Sequence, residues 1–210
     1  MHNGIGRSDN MKKKIFLYAV VGICASVAIS GTLAYFTDEE VAHNIITTGG
    51  VNIEVIEKTK GTNDVLIDFP KEGIKNVMPG KSVSKIVQVK NTGNNEAWIR
   101  VNIESIIRDF EGKILPFSLA ENSSVIEYSI LENWIDGDDG YYYYELPLKP
   151  NELTNALFKK VKFNPNMGND YQNCTANIII NAQAVQTANN PIPEGGSVID
   201  IKGWPKNLSE

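Results

Sequence analysis

Histidine and cysteine are scarce in this chain, with two of each in 210 residues, and a strong basic excess is missing. Each shortage removes a class of function. His2 and Cys24 fall in the first 34 residues, which read as a removable leader, so His43 and Cys174 stand alone in the remainder. A zinc protease built on two histidines is excluded by counting. Serine catalysis has no G-x-S-x-G elbow, and its only imidazole base is His43. One cysteine makes no internal disulfide, so stability must come from packing and subunit contacts. Cys174 opens an apolar run after Asn173 and reads as a small buried residue. The leader removes Arg7, Lys12, Lys13, Lys14 and Asp9 from 20 basic and 25 acidic side chains, leaving 16 and 24, a formal charge of −8. A nucleic acid or anionic lipid partner is disfavoured by that sign.

The N-terminus carries the clearest signal. Lys12-Lys13-Lys14 precedes an apolar run over residues 15–29, then Ser30-Gly31-Thr32-Leu33-Ala34. A basic n-region, a short h-region and small residues at Thr32 and Ala34 are the layout of a secretory signal peptide over residues 1–34, cut before Tyr35. Residues 1–10 read as a polar upstream extension. The alternative is an uncleaved anchor, since Leu33 to Phe36 extends the apolar run, but Ser30 and Gly31 break the run where a spanning helix would continue. The expected product is a secreted, extracellular or cell-surface chain with no stable membrane anchor.

No segment of the mature chain keeps a period of 3.6. Residues 51–55 and 99–104 alternate apolar and polar side chains, and residues 83–90, 125–131, 141–148, 157–163 and 176–186 are rich in β-branched and aromatic side chains. Pro79-Gly80 predicts a type II turn, Asn91-Thr92-Gly93-Asn94 a hairpin or loop, and Pro150-Asn151 a reversal. The expected fold is all-β, an antiparallel two-sheet sandwich or jelly roll of seven or eight strands. Residues 109–124 and 165–173 are the places for short helical connections. The domain spans residues 49–188, and residues 189–210 form a linker-like tail with one possible strand at 198–202.

Asp136-Gly137-Asp138-Asp139-Gly140 resembles the start of a calcium loop, but its twelfth position is Pro147, so a solvated turn is the better reading. Tyr141-Tyr142-Tyr143-Tyr144 would alternate faces as a strand, with two rings in the core and two on the surface or an interface. The sequence therefore predicts no catalytic residue, metal or cofactor, and no enzyme.

Gly31-Thr32-Leu33-Ala34-Tyr35-Phe36-Thr37-Asp38, Thr48-Gly49-Gly50-Val51-Asn52-Ile53, Met78-Pro79-Gly80 and Asn91-Thr92-Gly93 resemble the TasA and camelysin family of Gram-positive surface proteins. Asp139-Gly140 with the four tyrosines, Leu148-Lys149-Pro150 and Ala182-Gln183-Ala184-Val185-Gln186 are similar to its clostridial BsaA branch. The resemblance implies export through a SipW-type signal peptidase and a jelly-roll subunit. It also implies a head-to-tail homopolymer in the biofilm matrix, assembled by donor-strand complementation. Residues 35–48 suit the donor role, with Tyr35, Phe36, Val41, Ala42, Ile45 and Ile46 as interface residues and no proline to interrupt pairing. An ordinary first strand paired within its own subunit is the simpler alternative. Because some family members carry a metalloprotease label, a camelysin-like protease is a second implied function, and a glycan- or host-binding adhesin using the tyrosines is a third.

Overall fold

A computed structural model describes residues 45–48, 50–119 and 123–205. These form eleven strands: β1 Ile45–Thr48, β2 Ile53–Lys60, β3 Leu66–Asp68, β4 Ser82–Ser84, β5 Ile86–Asn91, β6 Ala97–Arg108, β7 Ile126–Tyr128, β8 Trp134–Asp136, β9 Tyr142–Tyr144, β10 Lys160–Phe163 and β11 Thr175–Gln186. The order β1-β11-β6-β9-β8 makes one sheet, and β4-β10-β7 and β3-β2-β5 make two smaller ones. The protein is an all-β sandwich, and its only helical turns among the described residues are short 3₁₀ turns such as Asn169–Tyr171 in the expected connection.

The backbone of the fold is the β6–β11 pair, antiparallel over twelve residues from Thr175↔Arg108 to Gln186↔Ala97. Period-2 patterning sends Ile99 and Val101 of β6, with Ile178, Ile180 and Ala182 of β11, into one core. Val55, Val87, Val89, Val161 and Phe163 meet them from the smaller sheets. Burying an aliphatic side chain of this kind contributes about 1.5–3 kcal/mol, so this one face supplies most of the apolar driving force.

Lys85 explains why three sheets replace the expected two. The run at residues 83–90 was read as one strand, yet Lys85 is only 1% exposed and divides it into β4 and β5. Its Nζ sits 2.5 Å from Glu57 Oε1 and 3.8 Å from the Phe69 ring centroid. β5 then pairs with β2 while β4 pairs with β10. The Lys85 and Val87 amides bond to Lys159 O and Phe158 O, so the segment leading into β10 stitches the two small sheets together. Asn91-Thr92-Gly93-Asn94 is correspondingly a loop crossing between sheets. Buried Asn91 anchors it, donating to Asn95 O and Leu148 O and accepting from the Gly93 amide.

The other turn expectations match the backbone. Gly80 has φ 71° with Lys81 N donating to Met78 O, and Asn151 has φ 66° with Glu152 N donating to Lys149 O; both geometries put a left-handed residue after proline. The strands β3 and β8 are absent from the sequence reading because three residues carry too little periodicity. The tail differs too. Residues 198–202, read as a possible strand, hold a 3₁₀ turn, Val198–Asp200, because Ser197 and Asp200 form a reciprocal capping box.

That tail is packed, not extended as a linker. Val198 and Ile201 are buried against Trp98, Tyr141, Tyr143 and Val185 on the outer face of the large sheet. Trp98 Nε1 donates to Asn190 O at 2.9 Å, and Arg100 Nη2 donates to Pro205 O at 2.8 Å. The Arg100 guanidinium lies 4.0 Å from the Tyr141 ring centroid and 5.0 Å from that of Trp204. The large sheet is thus covered on both faces where β6 begins and β11 ends.

Candidate functional site

The leader, the cleavage residues Thr32, Ala34 and Tyr35, and the interface candidates Phe36, Val41 and Ala42 lie outside the described residues. Ile45 and Ile46 are described. They pair in parallel with Ala182 and Gln183 of the same chain, so β1 forms one edge of the large sheet. Ile45 remains 41% exposed there, consistent with an edge strand of four residues that covers only its inner side.

Further along β11, the same edge carries only a single bridge, Ile74↔Ala176, among the described residues. Parallel pairing sets the direction of the chain: residues preceding Ile45 would continue past the level of Asn181. The N-terminal segment therefore enters the fold along a sheet edge.

A cleft opens on the opposite side of the sheet. β9 pairs with β6 only at Arg100↔Tyr143 and Val101↔Tyr142, and the Leu115 amide reaches Ile107 O. Between those points no strand pairs with β6 on this side among the described residues. The space is a cleft of about 510 Å³ walled by Ile103, Phe117, Ile126, Tyr128 and Tyr142. Asn102, Ser105 and Asp136 add polar groups at its rim. Tyr128 Oη and Ser105 Oγ are hydrogen-bonded, and burial pushes the Tyr128 phenol well above its usual range. Sequence reasoning missed this cleft. Its only signal was the length of β6, which outruns any strand nearby that could pair with its whole edge.

The acidic turn and the tyrosines form structure. Asp136 Oδ1 accepts from the Asp138 amide, and Asp139 accepts from the Tyr141 amide and, at 2.6 Å, from the Tyr143 hydroxyl. Tyr144 packs in the main core against Trp134, and Tyr142 packs at its margin. Tyr141 and Tyr143, on the face expected to meet solvent or a partner, lie under the tail. Cys174 is buried, its Sγ bonded to Asp170 O, and burial raises its thiol pKa. Among the described residues no group of three His, Cys, Asp or Glu side chains could hold a metal ion, and His43 lies outside them. No described helix is long and apolar enough to cross a membrane.

These features define an all-β sandwich whose notable exposed geometry is at its strand edges, not at a cluster of reactive side chains. A family profile described as camelysin metallo-endopeptidase matches residues 10–112, and the chain belongs to that camelysin family, which takes in TasA-like proteins. No curated protein and no solved structure matches it.

Proposed function

We propose that the mature chain is a structural subunit that polymerises head to tail into extracellular fibres of a biofilm matrix. The N-terminal segment ahead of Ile45, exposed after a SipW-type peptidase cuts before Tyr35, completes the sheet of a neighbouring subunit. The observation that carries this reading is the entry of that segment at the edge of the large sheet, through the four-residue β1. An edge strand presents unpaired N–H and C=O groups, and an extended segment from another copy satisfies them while burying its own apolar side chains. The contact joins two different surfaces, so it does not close on itself and propagates a filament. Family membership supports the reading, and in it the chain performs no hydrolysis.

Electron microscopy of the chain beginning at Tyr35, beside one beginning at Ile45, tests the proposal. Fibres are expected from the first and not from the second. Fibres from both, or from neither, defeat it.

The description of the matched family supplies a second reading, a metallo-endopeptidase. Casein turnover by a chelator-sensitive preparation, lost on His43→Ala, would favour it. Glycan binding by the intact protein is the corresponding test of an adhesin.

A further inference from the structure

We infer that the cleft beside β6 is the acceptor for this assembly, taking residues 35–44 of a second copy as an added strand; the inference rests on the fibre reading above. Three observations carry it.

The first is the direction of the backbone. Ala97 exchanges both hydrogen bonds with Leu148 on the β9 side, and Ile107 O accepts from Leu115 on that same side. Backbone groups alternate sides along an antiparallel strand, so Ile103 and Ser105 also aim their N–H and C=O groups away from β11 and into the cleft. Two residues thus offer four main-chain groups in strand geometry, a pattern that favours an extended peptide over a saccharide or a compact ligand.

The second is shape. Six residues separate Val101 from Ile107, a gap of about 20 Å along the strand. The wall opposite is apolar and aromatic, with Phe117, Ile126 and Tyr128 drawn from outside the large sheet. An inserted strand would turn alternate side chains onto this wall and the others toward solvent beside Glu104, which is exposed on the outer face.

The third is supply. The ten residues from Tyr35 to Asn44 extend to about 33 Å, more than the gap requires. In their own subunit they lead off from β1, which is separated from β6 by β11. Ile45 stands level with Ala182 and, through it, Val101, so the segment and the gap occupy the same level on opposite edges of one sheet. A strand offered at one edge and a vacant place at the other are the two halves of a head-to-tail joint.

Disulfide trapping between full mature chains tests the assignment. One population carries Glu104→Cys, and the other carries single cysteines placed one at a time at residues 38 to 43. On mixing under mild oxidation, intersubunit disulfides should rise several-fold at alternate positions only, because every second side chain of a strand beside β6 shares the Glu104 face. No intersubunit disulfide at any position, with fibres still forming, overturns the cleft and leaves the fibre reading standing. Equal trapping at adjacent positions also overturns it, since that is not a strand in register. So does a chain carrying both cysteines that yields only an intramolecular disulfide, for then its own segment fills the place. Absence of both fibres and disulfides removes the two readings together.

Discussion

Arg100→Ala tests the role assigned to the tail. Arg100 is 7% exposed, on a strand face that would be open without residues 190–205. Its Nε donates to Gln183 Oε1 at 2.8 Å, Nη1 to the Tyr143 hydroxyl at 3.0 Å and Nη2 to Pro205 O at 2.8 Å. Asp139 lies 3.9 Å away but is largely exposed, so it adds little. Hydrogen bonds to charged groups contribute about 1.5–3 kcal/mol each, which for three bonds is an upper limit well above the expected loss. The reason is that the tail can lift and admit water to Gln183 and Pro205 O once the guanidinium is gone. Lifting it costs the burial of Val198 and Ile201, about 2 kcal/mol each, so the loss is limited to roughly 3–4 kcal/mol. Urea unfolding should show that decrease, and limited proteolysis should cut the variant within residues 190–205 much faster than the parent. Arg100→Lys keeps the charge and loses the planar fork, so an intermediate loss is expected. A stability change under 0.5 kcal/mol with unaltered proteolysis would refute the claim that Arg100 latches the tail.

Three further outcomes are expected. Asn91→Ala removes a buried amide that holds three backbone groups, and should cost about 2–4 kcal/mol in urea unfolding with an unchanged m-value; a loss below 1 kcal/mol would show the loop anchored elsewhere. Stability should fall as pH rises above the ordinary tyrosine value of 10.0, because burial raises the folded-state pKa of Tyr128, Tyr142, Tyr143 and Tyr171, so the folded chain holds protons that the unfolded chain releases. Cys174 acts in the same sense from 9.0, whereas Lys85, lowered from 10.5 by burial, opposes them; a flat alkaline profile of urea midpoints would contradict this balance. Mass spectrometry of the exported chain should find Tyr35 as its first residue, and a retained Ala34 would move the cleavage site.

The sequence by itself determined the fold class and most of its punctuation. Alternation along residues 99–104 and 176–186 needs only side-chain chemistry and the two-residue period of a strand, and it located β6 and β11. Pro79-Gly80 and Pro150-Asn151 encode their turns through local dihedral preferences, so no distant contact was required. The tertiary structure decided what depends on pairing between remote segments. Nothing near Lys85 in sequence reveals that Glu57 and Phe69 will enclose it and split a strand in two. Arg100 and Tyr143 read as solvent-facing until residues 190–205, held by their own Ser197–Asp200 cap and by bonds to Trp98 and Arg100, are laid across them. The cleft beside β6 exists because β9 leaves that strand after Val101 and Leu115 rejoins it only at Ile107, a difference in partner lengths that local patterning does not record.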